Sequence, residues 1–202
     1  MKTLKRIKSI IRSGVISALV ATLLTATTAH AWQNITPTYN INHRTTQVRL
    51  QHGTDNSYAF IDFNGDEHGD LEGFYGEALR TVPLAYGISV GPEYNGGTGV
   101  DDIVRAQITA SGQIGPVFVQ GKYSPVSTGD AGQQLGLVAN AQFGRVGLGT
   151  WLDIDFNNGH TAKSGELEAT LKLTDNVKAY GKMEKFDWQK SPSYSIGFQA
   201  DF

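Results

Sequence analysis

Asp153 and Asp155 stand two residues apart, as do Glu166 and Glu168, and Lys178 and Lys182 stand four apart. In an extended chain such spacings put both side chains on one face. Paired carboxylates of this kind can do acid–base chemistry or hold calcium. Histidine lends no support to either use: His30, His43, His52, His68 and His160 form no arrangement with Ser or Asp that suggests a triad or a metal cluster. The run Asn64-Gly65-Asp66-Glu67-His68-Gly69-Asp70 resembles a loose calcium loop but lacks the spacing of an EF-hand, and reads as an acidic surface loop. The stronger reading of the charged pairs is a solvated wall on which acidic strands face basic ones. Tyr58, Phe60, Phe118, Trp151 and Tyr180 fall on the same face as these charges, where their rings could stack against a planar or sugar-like solute.

That face exists only if the chain is made of strands. From Leu84 onward every second residue is apolar and its neighbours are small or polar, the period of a sheet with one apolar face. The alternation predicts strands led by Leu84 to Tyr94, Val104 to Ala110, Val117 to Tyr123, Leu135 to Phe143, Val146 to Phe156, Leu167 to Leu173, Val177 to Met183 and Tyr194 to Phe202. Tight turns are expected near residues 80–83, 111–115, 143–145 and 174–176, and looser loops near 95–101, 124–133, 157–164 and 188–193, where Gly, Asn, Asp and Ser gather. Thr46 to Gly53, Ser57 to Asn64 and Leu71 to Thr81 add three strands.

A transmembrane antiparallel up-and-down β-barrel with both termini on one side needs an even strand number. Gln33 to His43 is the remaining segment able to supply a strand, so twelve strands are expected, with ten if residues 32–45 form a tail. In this register Tyr94, Tyr123, Phe156 and Tyr194 lie at the outer ends of their strands, and Phe143 and Phe202 at the periplasmic ends. Aromatics sort in this way at the two interfaces of a bilayer.

The first 31 residues read as a cleavable signal peptide: Lys2, Lys5, Arg6, Lys8 and Arg12 precede the apolar run Gly14 to Leu24 and the small-residue site at Ala29 and Ala31. Residues 32–202 are then the barrel, in a Gram-negative outer membrane, with Tyr194 to Phe202 as the signal read by the barrel-assembly machinery. Loss of the leader removes five basic residues and no acidic one, taking the formal charge from −2 to about −7. An acidic chain argues against a nucleic-acid partner and against carriage of polyanions. With no cysteine there is no disulfide framework or thiolate site, and no cofactor or metal is called for.

The segment from Thr46 to Arg80, with T-Q-V-R-L-Q-H-G-T-D-N-S-Y-A-F-I-D-F-N-G-D and then G-F-Y-G-E-A-L-R, resembles the front of the nucleoside-specific, Tsx-type outer-membrane channels. The matching positions are Phe60, Ile61, Asp62 and Phe63, then Tyr75, Gly76 and Glu77. The resemblance implies a twelve-stranded monomeric barrel with a narrow, aromatic-lined, ionisable pore, in which Phe60, Asp62, Tyr75 and Glu77 are pore residues; this chain is considerably shorter. The expectation is therefore a non-enzymatic porin passing a small neutral or weakly charged solute by diffusion. Tyr58, Phe60, Trp151 and Tyr180 would be stacking surfaces, and Arg49, Asp62, Glu77 and Arg105 would form the constriction, with Tyr75 and Asp153 beside them. The alternative is a closed barrel whose outer loops around Asn95, Gly129 and His160 bind a partner. A membrane-embedded lipid hydrolase or protease lacks a nucleophile and base, unless His160 meets Asp153 or Asp155.

Overall fold

A chain of alternating strands in a bilayer must pair every backbone N–H and C=O within itself, and a sheet does so only by closing. The computed structural model, which describes residues 32–129, 131–157 and 159–202, shows that closure. Its strands are β1 (Trp32–Asn40), β2 (Thr45–Thr54), β3 (Ser57–Gly65), β4 (Leu71–Arg80), β5 (Val82–Pro83), β6 (Ile88–Gly97), β7 (Val100–Ile114), β8 (Val117–Ser127), β9 (Gln133–Phe143), β10 (Val146–Asn157), β11 (His160–Lys172), β12 (Val177–Phe186) and β13 (Ser193–Asp201). Neighbours in sequence pair antiparallel, β1 pairs with β13, and β4 pairs with β6 to complete the ring. Strand β5 is a two-residue spur on β6. The fold is a closed barrel of twelve long strands. Residues 33–43 do contribute a strand, so the ten-strand option is overturned. The signal-peptide expectation lies outside the described residues.

The expected parity holds around the ring. Val104, Ile108, Leu135, Leu137, Leu148, Leu152, Leu167, Leu171, Ile196 and Phe198 are all exposed on the outer face. Tyr123, Phe156 and Tyr194 are exposed near the outer ends of β8, β10 and β13, and Phe143 at the opposite end of β9. On β3, Ala59 and Ile61 turn outward and pack with Leu50, Phe63, Phe74 and Ala78.

Two boundaries differ from the sequence expectation, each for a physical reason. The turn expected at 80–83 lies at 84–87, closed by Leu84 N–H donating to the Ile88 carbonyl at 2.9 Å. Tyr86 (φ 54°) and Gly87 (φ 75°) take the left-handed backbone there. The alternation of Leu84 and Tyr86 therefore continues through a turn, and the strand starts at Ile88. The second difference is at the outer rim: β6 and β7 meet in a tight hairpin over Thr98 and Gly99 (φ 78°), and β11 begins at His160, so the loops expected at 95–101 and 157–164 are mostly strand. The twelve long strands run from 9 residues in β1 to 15 in β7, against the ~9–11 needed to cross hydrocarbon. The overhanging ends, such as residues 160–163, are exposed on both faces, so they carry no apolar period to be read.

A ring closed by backbone hydrogen bonds resists detergent until heated. Purified protein should migrate faster on a gel unheated than boiled; identical migration of a detergent-folded sample would contradict the closed barrel.

Candidate functional site in the barrel lumen

The inner face collects the polar half of each strand. A cavity of about 980 Å³ runs through the bore, from Trp32 and Asn56 at the periplasmic end to Val100 and Asp101 at the outer end. Of the residues singled out from sequence, Arg49, Tyr58, Phe60, Tyr75, Glu77, Arg105, Trp151 and Asp153 line it. Asp62 and Tyr180 share the inner parity but are covered. Asp62 lies beneath Arg49, and Tyr180 is buried with its hydroxyl donating to Glu168.

The charges are arranged as chords across the bore. Arg49 grips Asp62 on the adjacent strand through two bonds, Nε to Oδ1 at 2.7 Å and Nη2 to Oδ2 at 3.0 Å. It also reaches Glu166 at 3.6 Å and Glu168 at 3.7 Å on β11. Lys182 on β12 completes this cluster, with Glu184 at 2.9 Å, Glu166 at 3.4 Å and the Gln47 amide oxygen of β2 at 3.1 Å. On the other wall Arg105 of β7 meets Asp155 of β10 at 3.2 Å and Glu93 at 3.9 Å. Lys122 of β8 meets Asp153 of β10 at 3.3 Å. Gly136 stands in register between these two, and a Cβ there would occupy the space the pair uses. Glu77 differs: it faces the cavity and, among the described residues, makes no hydrogen bond or ion pair.

The acidic pairs are thus held by cations rather than arranged for chemistry. Asp153 belongs to Lys122, and Asp155 to Arg105 and the Gln134 amide at 3.0 Å. His160 pairs in register with Asn157 at the outer turn and bonds neither aspartate. In the outer loop, Asp66 Oδ1 accepts the backbone N–H of Asp70 at 2.9 Å and of His68 at 2.8 Å. These amides, Asp70 foremost, hold its carboxyl below the usual range. The carboxylate shapes its own loop, and no His/Asp/Glu group able to hold a metal occurs among the described residues.

The rings form two runs that sequence parity located only in part. On one wall Trp32, Tyr58, Phe60 and Tyr75 follow one another at 6.1, 5.9 and 5.9 Å between centroids, with Arg49 over the Phe60 ring at 4.7 Å. Gly53, opposite Trp32, leaves room for the indole, since a Cβ there would overlap it. On the other wall Trp151 meets Phe186 at 6.2 Å, and Phe186 stacks on Trp188 at 5.8 Å with 11° between planes. Trp32, Phe186 and Trp188 were not anticipated. Trp32 and Phe186 are end residues of their strands and Trp188 is in a loop, so no alternation assigned them a face.

No protein-family model and no curated protein sequence matches the chain. Solved structures do: the KdgM porin superposes with a TM-score of 0.58 at 14% identity over 85% of this chain and 99% of that one. Its complex with disordered oligogalacturonate gives 0.57, also at 14% identity, over 85% and 99% of the two chains. The NanC porin gives 0.56 at 12% identity over 83% and 98%. The chain has the fold of these porins. The likeness is one of fold, and the lumen described above is what this sequence builds inside it.

Two outcomes follow from the chords. Arg49→Ala leaves Asp62, Glu166 and Glu168 without their shared cation, and breaking such a pair where water cannot replace it costs about 3–5 kcal/mol. Beside an open bore the loss should fall below that ceiling, be larger than for Asp62→Asn, and be partly restored by adding Glu166→Gln; urea unfolding followed by tryptophan emission measures all three. For the outer loop, a carboxyl whose folded value is depressed stabilises above its unfolded value and loses that stabilisation as pH falls through the folded one. Protection of the His68 and Asp70 amides, their exchange rate relative to the intrinsic rate at the same pH, should therefore fall on acidification below the ordinary carboxylate range, and should not in Asp66→Ala.

Proposed function

We propose that this barrel is a passive outer-membrane channel for a small, neutral or weakly charged solute carrying a ring, driven by the solute's own gradient. The observation that carries this reading is the combination inside one bore: six rings of the two aromatic runs, all but Trp188, line the cavity while the inner-face cations are already paired. Stacking recognises a ring without needing its charge. Paired cations give no free row of positive charge for an anion to follow.

Nucleosides are the solute we favour. Of the four motif positions that the resemblance makes pore residues, Phe60 stands opposite Glu77 and Asp62 opposite Tyr75 in the β3–β4 register. This juxtaposes a stacking ring with an unpaired carboxylate that can accept ribose or amino hydrogens. One solved structure is the KdgM porin in complex with disordered oligogalacturonate, but a polyanion would meet Glu77 rather than a free cation here. Export by the 1–31 leader and assembly through Tyr194 to Phe202 belong to the same proposal; cleavage after Ala31 places Trp32, the first residue of β1, at the mature N-terminus.

Planar-bilayer recording of purified protein tests it. The expected result is a small cation-preferring conductance, interrupted by adenosine and by neutral sugars more than by galacturonate oligomers. Glu77→Gln should weaken the cation preference while Glu93→Gln, already beside Arg105, changes it less. Absence of any conductance would sink the channel and favour the closed barrel with partner-binding loops.

A further inference from the structure

The two aromatic runs occupy different depths. Trp32 is the first residue of β1 and Tyr58 the second of β3, both at the periplasmic end, and the run ends at Tyr75 in mid-strand β4. The opposite run starts where that one stops. Trp151 is in mid-strand β10, Phe186 is the last residue of β12 at the outer rim, and Trp188 lies beyond it in the 187–192 loop.

Trp188 is 79% exposed, and a loop tryptophan in a membrane barrel is ordinarily an interfacial anchor pointing at lipid headgroups. Its stacking partner argues otherwise. Phe186 has the inner parity, lines the cavity and touches Trp151, so the indole stacked on it extends, at the outer rim, the ring run that enters the bore. The loop is also built to keep it there. Gln189 N–H donates to the Phe186 carbonyl at 3.0 Å, Phe186 N–H donates to the Gln189 side-chain oxygen at 2.9 Å, and Lys185 Nζ donates to the Gln189 carbonyl. Three hydrogen bonds thus hold a turn whose product is one solvent-facing aromatic surface.

We propose that Trp188, stacked on Phe186 and followed inward by Trp151, is a capture subsite at the outer mouth for neutral ring-bearing solutes, preceding the Tyr75-to-Trp32 run. It rests on the channel reading and adds a direction to it. A solute arriving from outside lands on Trp188 before it meets the charged chords, whereas one arriving from the periplasm lands on Trp32 and Tyr58. The two sides therefore have different first contacts and can be perturbed separately.

The test is sidedness. Channels are recorded in planar bilayers with adenosine or maltotriose added to one chamber. The chain has no native cysteine, so His160→Cys at the outer turn, modified by an impermeant maleimide, marks which face is which. Trp188→Ala should lower the association rate from the outer side on the order of tenfold, the scale of one lost stacking partner. Unitary conductance and the association rate from the periplasmic side should not change, and Trp188→Phe should recover most of the outer rate. Retained heat-modifiable mobility shows that each variant is folded. In parallel, adenosine should quench the tryptophan emission of detergent-folded wild type more than that of Trp188→Ala. An equal fall from both sides, or no fall from either, overturns the subsite while leaving the channel intact. A wild-type channel that conducts but is interrupted by neither solute overturns the ring-solute reading and the subsite with it.

Discussion

Ring closure is the constraint on which everything else depends. The pairings of β1 with β13 and of β4 with β6 leave no sheet edge, which is the only way a β chain can satisfy its backbone in hydrocarbon. Closure also fixes the chemistry, because it assigns alternate residues irrevocably to lipid or lumen. A one-residue slip in any strand would send its leucines inward and its charges into lipid. The bulges stay clear of that penalty: those at 64–65 and 95–97 lie next to the outer turns, and the one at 106–108 falls where β8 is ending.

Once the charges are committed to the interior, they must be paired or left facing the bore. Many of the pairs are not between adjacent strands. Arg49 on β2 reaches Glu166 and Glu168 on β11, and Lys182 on β12 reaches back to Gln47. Such chords narrow a twelve-stranded bore, which is wider than the eight-stranded size that side chains simply fill. They also hold the wall's curvature from inside, where the sheet's own hydrogen bonds act only between neighbours. Glycine is part of this design at Gly136, where a missing side chain lets Lys122 reach Asp153 across an intervening strand.

Much of this was legible in the sequence because one physical rule, alternation, governed both faces at once. The twelve strands, their parity and most of the inner-face charges followed from where every second apolar residue stood. The rule failed where its cause was absent. Beyond the lipid no apolar face is required, so the overhangs at Val100 and His160 read as loops, and Leu84 to Gly87 read as strand because its apolar residues happen to alternate through a left-handed turn. Parity names the face of a residue but not its partner. It could not tell that Tyr180 would lie covered beside Glu168, or that Phe186 would be joined to Trp188 by a turn.

Pairing also decides which charges in the bore are free, and on this the likeness of fold to the KdgM porin is silent. Carrying a polyanion takes cations whose charge is free to replace the solute's hydration, set one after another along the path. In this lumen Arg49, Arg105, Lys122, Lys178 and Lys182 each have a carboxylate within 4 Å. An anion would have to displace an internal partner at each step, giving up a fixed, close-range attraction for a mobile one. The rings make no such demand, since stacking on them displaces no ion pair, although Arg49 already lies over the Phe60 ring. Two barrels of one fold can thus line their bores differently, because the backbone fixes only which side chains face the bore. What those side chains already hold decides what is left to offer.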